Sequence, residues 1–332
     1  MIKSKKKLKA LKREVIFLKR ALILMNMGGI SNPNEVEVFL KNMFLDKHIL
    51  PLNPLLRRFI ANRIIKNRAD EVRENLIKYL NGKSPLLNIT NSLAKKLEEK
   101  LNFKVVPVMR YVAPFAKDVL KELKAQEVEE LILFPMYPQY STTTTLSSID
   151  DIKENLKKID YSPKIKIVKS YYDDYEYIRL IVEQILKTVT KDETKEFDLI
   201  LSAHSIPLKI AKNDLYEKHI EANLSALKIY LKCQNIEFKN IKLAYQSKVG
   251  KAKWLEPNLT DTLKQNINRK VIIYPLSFTI DNSETLFELD IENREISKEL
   301  KYQDYRVVKC FNDNDSFVDF IKIKTKNILL NK

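Results

Sequence analysis

The stretch DLILSAHSIP, residues 198–207, joins an apolar run to a loop that carries a histidine. The run DLILS shows little apolar/polar alternation. It therefore suits a strand covered on both faces, as in a parallel sheet. Seven further runs are strand candidates: ALILMN (21–26), FKVVPVM (103–109), ELILFP (130–135), KIKIV (164–168), IKLAYQ (241–246), KVIIY (270–274) and YRVV (305–308). Longer amphipathic segments separate them, at about 114–126, 146–158, 173–189, 213–233, 257–267, 284–299 and 315–329. Further helices start near Asn32-Pro33 and at Ser84-Pro85, with proline in the first turn. This alternation predicts a doubly wound α/β architecture. Eight strands fit one barrel or two sheets of four. The connection 27–102 is too long for one crossover and has room for three or four helices, which favours two open sheets.

Composition narrows the chemistry. The 332 residues include only four Gly, three His and two Cys. Four glycines leave no room for a Gly-rich dinucleotide loop or a P-loop. Cys233 and Cys310 cannot build a four-cysteine zinc or iron–sulfur site, and they imply a reducing cytoplasm. No stretch reaches the roughly 18 uninterrupted apolar residues of a membrane span. The net charge is +16, and residues 1–20 alone hold nine Lys/Arg against one Glu. That basic extension reads as a solvated terminus or as an attachment to an anionic membrane surface. It lacks the accompanying motifs of a nucleic-acid binder.

In open α/β sheets, ligands bind at the carboxyl ends of strands. His204 sits at such an end. Its imidazole is suited to accepting a proton or binding a divalent metal near neutral pH, and equally to bonding a backbone group. His48 and His219 read as structural. Glu284, Glu288 and Glu292 follow another strand at i, i+4, i+8 spacing, which lines the carboxylates along one side of a helix. The same spacing describes a solvated helix face or an acidic track for cations. Ser202 and Ser205 beside His204 lack the G-x-S-x-G elbow of a serine hydrolase. Tyr111, Tyr137 and Tyr140, with Met27, offer faces for a flat apolar ligand as well as for core packing. Arg110 has a fork suited to a carboxylate. Ser141 and the run Thr142–Thr145 could cap a helix or hold a carboxylate.

Several ordered motifs then carry a resemblance: LMNMGG (24–29), MRY (109–111), FPMYPQYSTTTT (134–145), SAHSIP (202–207), YQSKVG (245–250) with WLEP (254–257), and FTIDNSETLFELDIE (278–292). At these positions the chain resembles the ferrochelatases, enzymes that insert ferrous iron into protoporphyrin. The resemblance implies a chelatase-like α/β fold of two Rossmann-like lobes, each with a four-stranded parallel sheet flanked by helices. The division expected is a basic extension over 1–20, a first lobe over 21–145 plus about 310–332, and a second lobe over 146–309. The resemblance also implies that His204 and Glu284 are the central catalytic pair. His204, Glu284, Glu288 and Glu292 would be metal contacts, and Met27, Arg110, Tyr111, Tyr137 and Ser141 would line the porphyrin pocket. Where many members carry histidine before the acidic residue, this chain reads Asn282-Ser283-Glu284. Cysteines for a cluster are absent, so no resident cofactor is expected. The partners expected are protoporphyrin IX and Fe2+ as substrates, with no nucleic acid. A chelatase for another tetrapyrrole or metal, and a non-catalytic carrier, are the competing readings.

Overall fold

The computed structural model describes residues 18–248 and 252–330. Most of the basic extension, and Val249 and Gly250 of the YQSKVG motif, lie outside them. The eight runs form eight strands: β1 (Arg20–Asn26), β2 (Lys104–Met109), β3 (Glu130–Pro135), β4 (Lys164–Ile167), β5 (Asp198–His204), β6 (Asn240–Gln246), β7 (Lys270–Pro275) and β8 (Asp304–Val307). They make two all-parallel sheets, ordered β2-β1-β3-β4 and β6-β5-β7-β8. The expected two-sheet architecture is thus present, and the sheets repeat one topology.

The uninterrupted apolar runs follow from double coverage. Successive side chains on a strand point to opposite faces. On β1, Leu22 and Leu24 enter one core, while Ala21, Ile23 and Met25 enter another beneath the helices Ala116–Ala125 and Ser147–Lys158. On β5, Leu199 and Leu201 belong to the same core as Leu22 and Leu24, whereas Ile200 turns to a third cluster with Leu259, Leu263 and Leu289. One apolar interior therefore lies between the sheets. Tyr171, Tyr177, Phe311, Phe317 and Phe320 fill it with edge-on and stacked rings.

The long connection holds a 3-10 turn (Pro33–Glu35) and the helices Val36–Leu45, Pro54–Leu80 and Leu86–Leu101. The first two helices make a separate apolar cluster around Val36, Leu40, Phe44, Ala61 and Leu76. The C-terminal helix, Asp315–Leu330, buries Phe317 and Phe320 in the shared interior and meets the helix Leu86–Leu101 through Lys100–Asp319 at 2.8 Å.

The division at 145/146 needs correction. β4 pairs with β3 and closes the first sheet, so the chain belongs to that sheet as far as residue 167. KIKI is an edge strand with half-exposed faces, and its alternation hides how firmly its backbone is tied to β3. The expected helix over 284–299 also differs. Glu284–Glu292 is a π-helix, continued by an α-helix over Asn293–Glu299. A second π-turn, Thr142–Leu146, opens the helix after β3, so both lobes widen the chain at the same place in the topology.

The loop after β1 is tight for a steric reason. Gly28 has φ +96°, and a Cβ there would stand 2.5 Å from Val112 Cγ2. Gly28→Ala should lower stability by about 2 kcal/mol through strain and overlap together. The measurement is a reduced urea midpoint at unchanged m value.

Candidate active site

The strand order decides where a site forms. With β1 between β2 and β3, and β5 between β6 and β7, the chain direction switches at β1/β3 and at β5/β7. In open parallel sheets the loops diverge at such points, and ligands bind at the carboxyl ends there. His204 is the last residue of β5, and Glu284 opens the π-helix after β7. His204 Nδ1 lies 2.8 Å from Glu284 Oε2. The two are 80 residues apart in sequence, and the β5/β7 pairing brings them together.

The backbone around the pair is braced. Ser277 Oγ accepts from His204 N–H at 3.2 Å, and Tyr216 O–H donates to the His204 carbonyl at 2.8 Å. Asn282, two residues before Glu284, is buried and accepts the Glu284 N–H at 2.8 Å, so it caps the π-helix. His204 remains 38% exposed and Glu284 22%. With Nδ1 directed at Glu284, the His204 Nε2 has no hydrogen-bond partner among the described residues.

Electrostatics separates the carboxylates. Burial opposes the imidazolium of His204, but the charge and hydrogen bond of Glu284, with Glu288 behind it, outweigh burial and raise His204 above its usual value. Burial likewise works against ionised Glu284, yet His204 and the Ser247 hydroxyl hold it below the carboxylate norm. Glu288 behaves oppositely: burial and the Glu284 charge push it up to about 7, against the pull of Ser247. Glu292 is raised by burial and by Glu71 and Glu295.

The three carboxylates are not equally placed. Glu284 and Glu288 converge on Ser247, whose Oγ is 3.3 Å from Glu284 and bonds Glu288. Glu292 lies toward Glu71 of the helix Pro54–Leu80. His204, Glu284, Glu288 and Glu292 are thus not one metal cage. Among the described residues, no three His, Cys, Asp or Glu groups converge closely enough to hold an ion.

The pocket residues divide. Met27 and Tyr137 stay half-exposed at the ends of β1 and β3. Arg110 directs its guanidinium to groups of the protein itself, Asp46 at 3.1 Å and Ser147 at 2.9 Å. Tyr111 is buried and donates to Asp46 at 3.1 Å. Ser141 is buried, donates to Asp214 at 2.9 Å and caps Thr143 N–H at 3.1 Å. These three are supports in this structure. Asp46 supplies a carboxylate that satisfies Arg110, Tyr111 and Ser147, and no motif had drawn attention to it.

The lobes also meet through polar contacts. Asp214 accepts Ser141 Oγ, Thr142 N and Thr142 Oγ1. His219 Nδ1 accepts Tyr140 N–H at 3.1 Å while its ring stacks on Tyr172, which agrees with a structural histidine. Gln139 donates to Asn223 at 2.9 Å and to the Leu276 carbonyl at 3.1 Å, and Thr279 donates to the Met136 carbonyl at 2.8 Å. The loop after β3 is thereby bound to the loop after β7, and the two switch points adjoin.

Two lobes with parallel four-stranded sheets of one topology are the architecture of the chelatases. Solved structures of SirB from Bacillus subtilis, one with Fe3+ and one, a sirohydrochlorin chelatase from subspecies spizizenii, in complex with cobalt, share the fold. Their TM-scores are 0.57 and 0.54, their identities 9% and 10%, and they are covered over 96% and 95% of their lengths against 94% and 93% of this chain. The ferrochelatase family model matches residues 19–327. The ferrochelatase of Sulfurimonas denitrificans is 43% identical over 91% of this chain and 96% of its own length, and that of Campylobacter concisus 44% over 93% and 98%. The chain belongs to the ferrochelatase family.

The pKa pattern sets a pH dependence. Lowering the pH through the raised value of His204 protonates the imidazole, and lowering it through about 7 protonates Glu288. The first change takes up the imidazole lone pair, and the second removes the negative charge of the carboxylate. We expect kcat/KM for the metal to rise with pH across roughly 6 to 8. Glu288→Gln should make that rise shallower, as read from a pH series with Zn2+.

Proposed function

We propose that the chain inserts Fe2+ into protoporphyrin IX to give protohaem, the closing step of haem synthesis. The His204–Glu284 pair at the β5/β7 switch point is the observation that supports this reading most directly. Insertion must take two protons from pyrrole nitrogens while a hydrated cation loses water. A neutral imidazole that donates Nδ1–H to a carboxylate keeps its lone pair on Nε2. His204 is therefore assigned the pyrrole protons, taken one at a time and each released to water from its part-exposed ring, and Glu284 stabilises the imidazolium formed in between. Glu284, with Glu288, presents the metal. Two carboxylates on one helix ligate weakly enough to release it, and the graded line to Glu292 offers cations a path inward. Met27 and Tyr137 are assigned to the porphyrin face.

The assay follows the porphyrin spectrum on mixing the protein with protoporphyrin and Fe2+ or Zn2+. Catalytic turnover is expected. A single stoichiometric shift would indicate a carrier, and no response would indicate another tetrapyrrole. His204→Ala should reduce insertion at least about a hundredfold, the scale of a lost general base, with porphyrin binding retained. Near-normal turnover in that variant would remove His204 from the reaction.

A cytoplasmic enzyme resting on an anionic membrane surface is the location we propose. Among the described residues no helix is long and apolar enough to cross a membrane. Residues 47–69 contain six Lys/Arg and no Asp/Glu, and within them Leu55 is 85% and Phe59 66% exposed. Basic charge beside exposed apolar side chains favours an anionic lipid surface. Co-sedimentation with phosphatidylglycerol vesicles, lost with phosphatidylcholine alone and weakened by Phe59→Asp, is the expected result.

A further inference from the structure

Ser247 follows β6 directly, and its neighbour Gln246 is in register with His204 on β5. Its φ is +65°, the left-handed region, which a non-glycine residue keeps only where its surroundings hold it. That turn aims two donors at one carboxylate. The Ser247 N–H donates to Glu288 Oε1 at 2.6 Å, and its hydroxyl bonds Glu288 Oε2. The same hydroxyl oxygen stands 3.3 Å from Glu284 Oε2. Gln246 completes the arrangement: its Nε2 lies 3.3 Å from Glu288 Oε2, and its Oε1 accepts Ser202 Oγ at 2.7 Å. Both oxygens of Glu288 are thus fixed from the end of β6, although Glu288 is carried by the π-helix. Two like charges four residues apart on one helix repel each other, so an unrestrained Glu288 would swing away from Glu284.

We infer that Ser247 is a positioning residue for the metal, acting through Glu288 and resting on the assignment of metal presentation to Glu284 and Glu288. It holds the second carboxylate at a fixed place beside the first, so that an arriving hydrated cation meets two carboxylates together. The hydroxyl and the left-handed turn contribute separately. The turn directs the N–H, and the hydroxyl spans the two acids.

Ser247→Gly separates them, because it keeps the N–H and the left-handed turn and removes only the hydroxyl. The probes are Zn2+ alone by calorimetry, and Zn2+ with protoporphyrin in steady state. The expected result is an about tenfold weaker Zn2+ affinity and an about tenfold higher KM for Zn2+, the scale of one hydrogen bond to a charged group. KM for porphyrin should stay within about twofold. In a Glu288→Gln background, adding Ser247→Gly should produce no further rise, because both substitutions remove the same interaction. Three results would overturn the inference: a rise in porphyrin KM with Zn2+ KM unchanged, effects that multiply in the double variant, or no change in either KM. A wild type that binds Zn2+ but never inserts it would instead overturn the functional reading. The calorimetric comparison would still decide the role of Ser247 in that case.

Discussion

Everything in this molecule depends on one apolar interior being shared by two parallel sheets. A parallel sheet needs cover on both faces, because its crossovers return over them. Here each sheet turns one face to its own outer helices and the other to the common interior. Leu22 and Leu24 of β1, Leu199 and Leu201 of β5, and the aromatic cluster Tyr171, Tyr177, Phe317 and Phe320 are members of the same core. At roughly 25 cal/mol per Å2 of buried apolar surface, such side chains supply most of the driving force that keeps the lobes together. The C-terminal helix completes the interior, which is why the end of the chain returns to the helix Leu86–Leu101 of the first lobe.

That packing brings the carboxyl ends of both sheets to one seam, and polar contacts then set their relation. Asp214 gathers Ser141 and Thr142 across the lobes, Gln139 donates in the same direction to the Leu276 carbonyl, and Thr279 donates back to the Met136 carbonyl. These bonds are buried or half-buried, so leaving any donor unpaired would carry a desolvation cost. The seam holds the two switch-point loops together and leaves Met27, Tyr137, His204 and Glu284 partly open beside it.

Within the site, three acidic residues of one helix differ because their partners differ. Glu284 has a histidine and stays ionised; Glu288 lacks one, and burial with the Glu284 charge pushes its carboxyl up to about 7 against the pull of the Ser247 donors. A π-helix is the local device that allows this. Its i→i+5 bonding widens the turn, and such segments recur at functional sites. Asn282 caps the segment from within.

Much of the fold was legible in the order of residues. Eight candidate runs became eight strands, and the inner strands β1 and β5 were the plainest, because a strand buried on both faces carries little polar alternation. The ordered motifs also marked the strand ends, and His204 and Glu284 stood out there by residue type. Other features were not legible. The strand KIKI looked like part of the second lobe, because edge strands show weak hydrophobic signals and pairing is a backbone matter. Arg110, Tyr111 and Ser141 had residue types suited to a ligand, but Asp46 and Asp214, distant in sequence, claimed their polar groups. Ser247 lay inside a quoted motif without a visible role, since only its left-handed turn aims it at Glu288. The sequence by itself determined which elements form and which chemical groups stand at their ends, for these follow from local pattern and covalent identity. Tertiary structure alone decided which groups face each other, because hydrogen bonds and charge effects act over a few ångströms and are indifferent to separation along the chain.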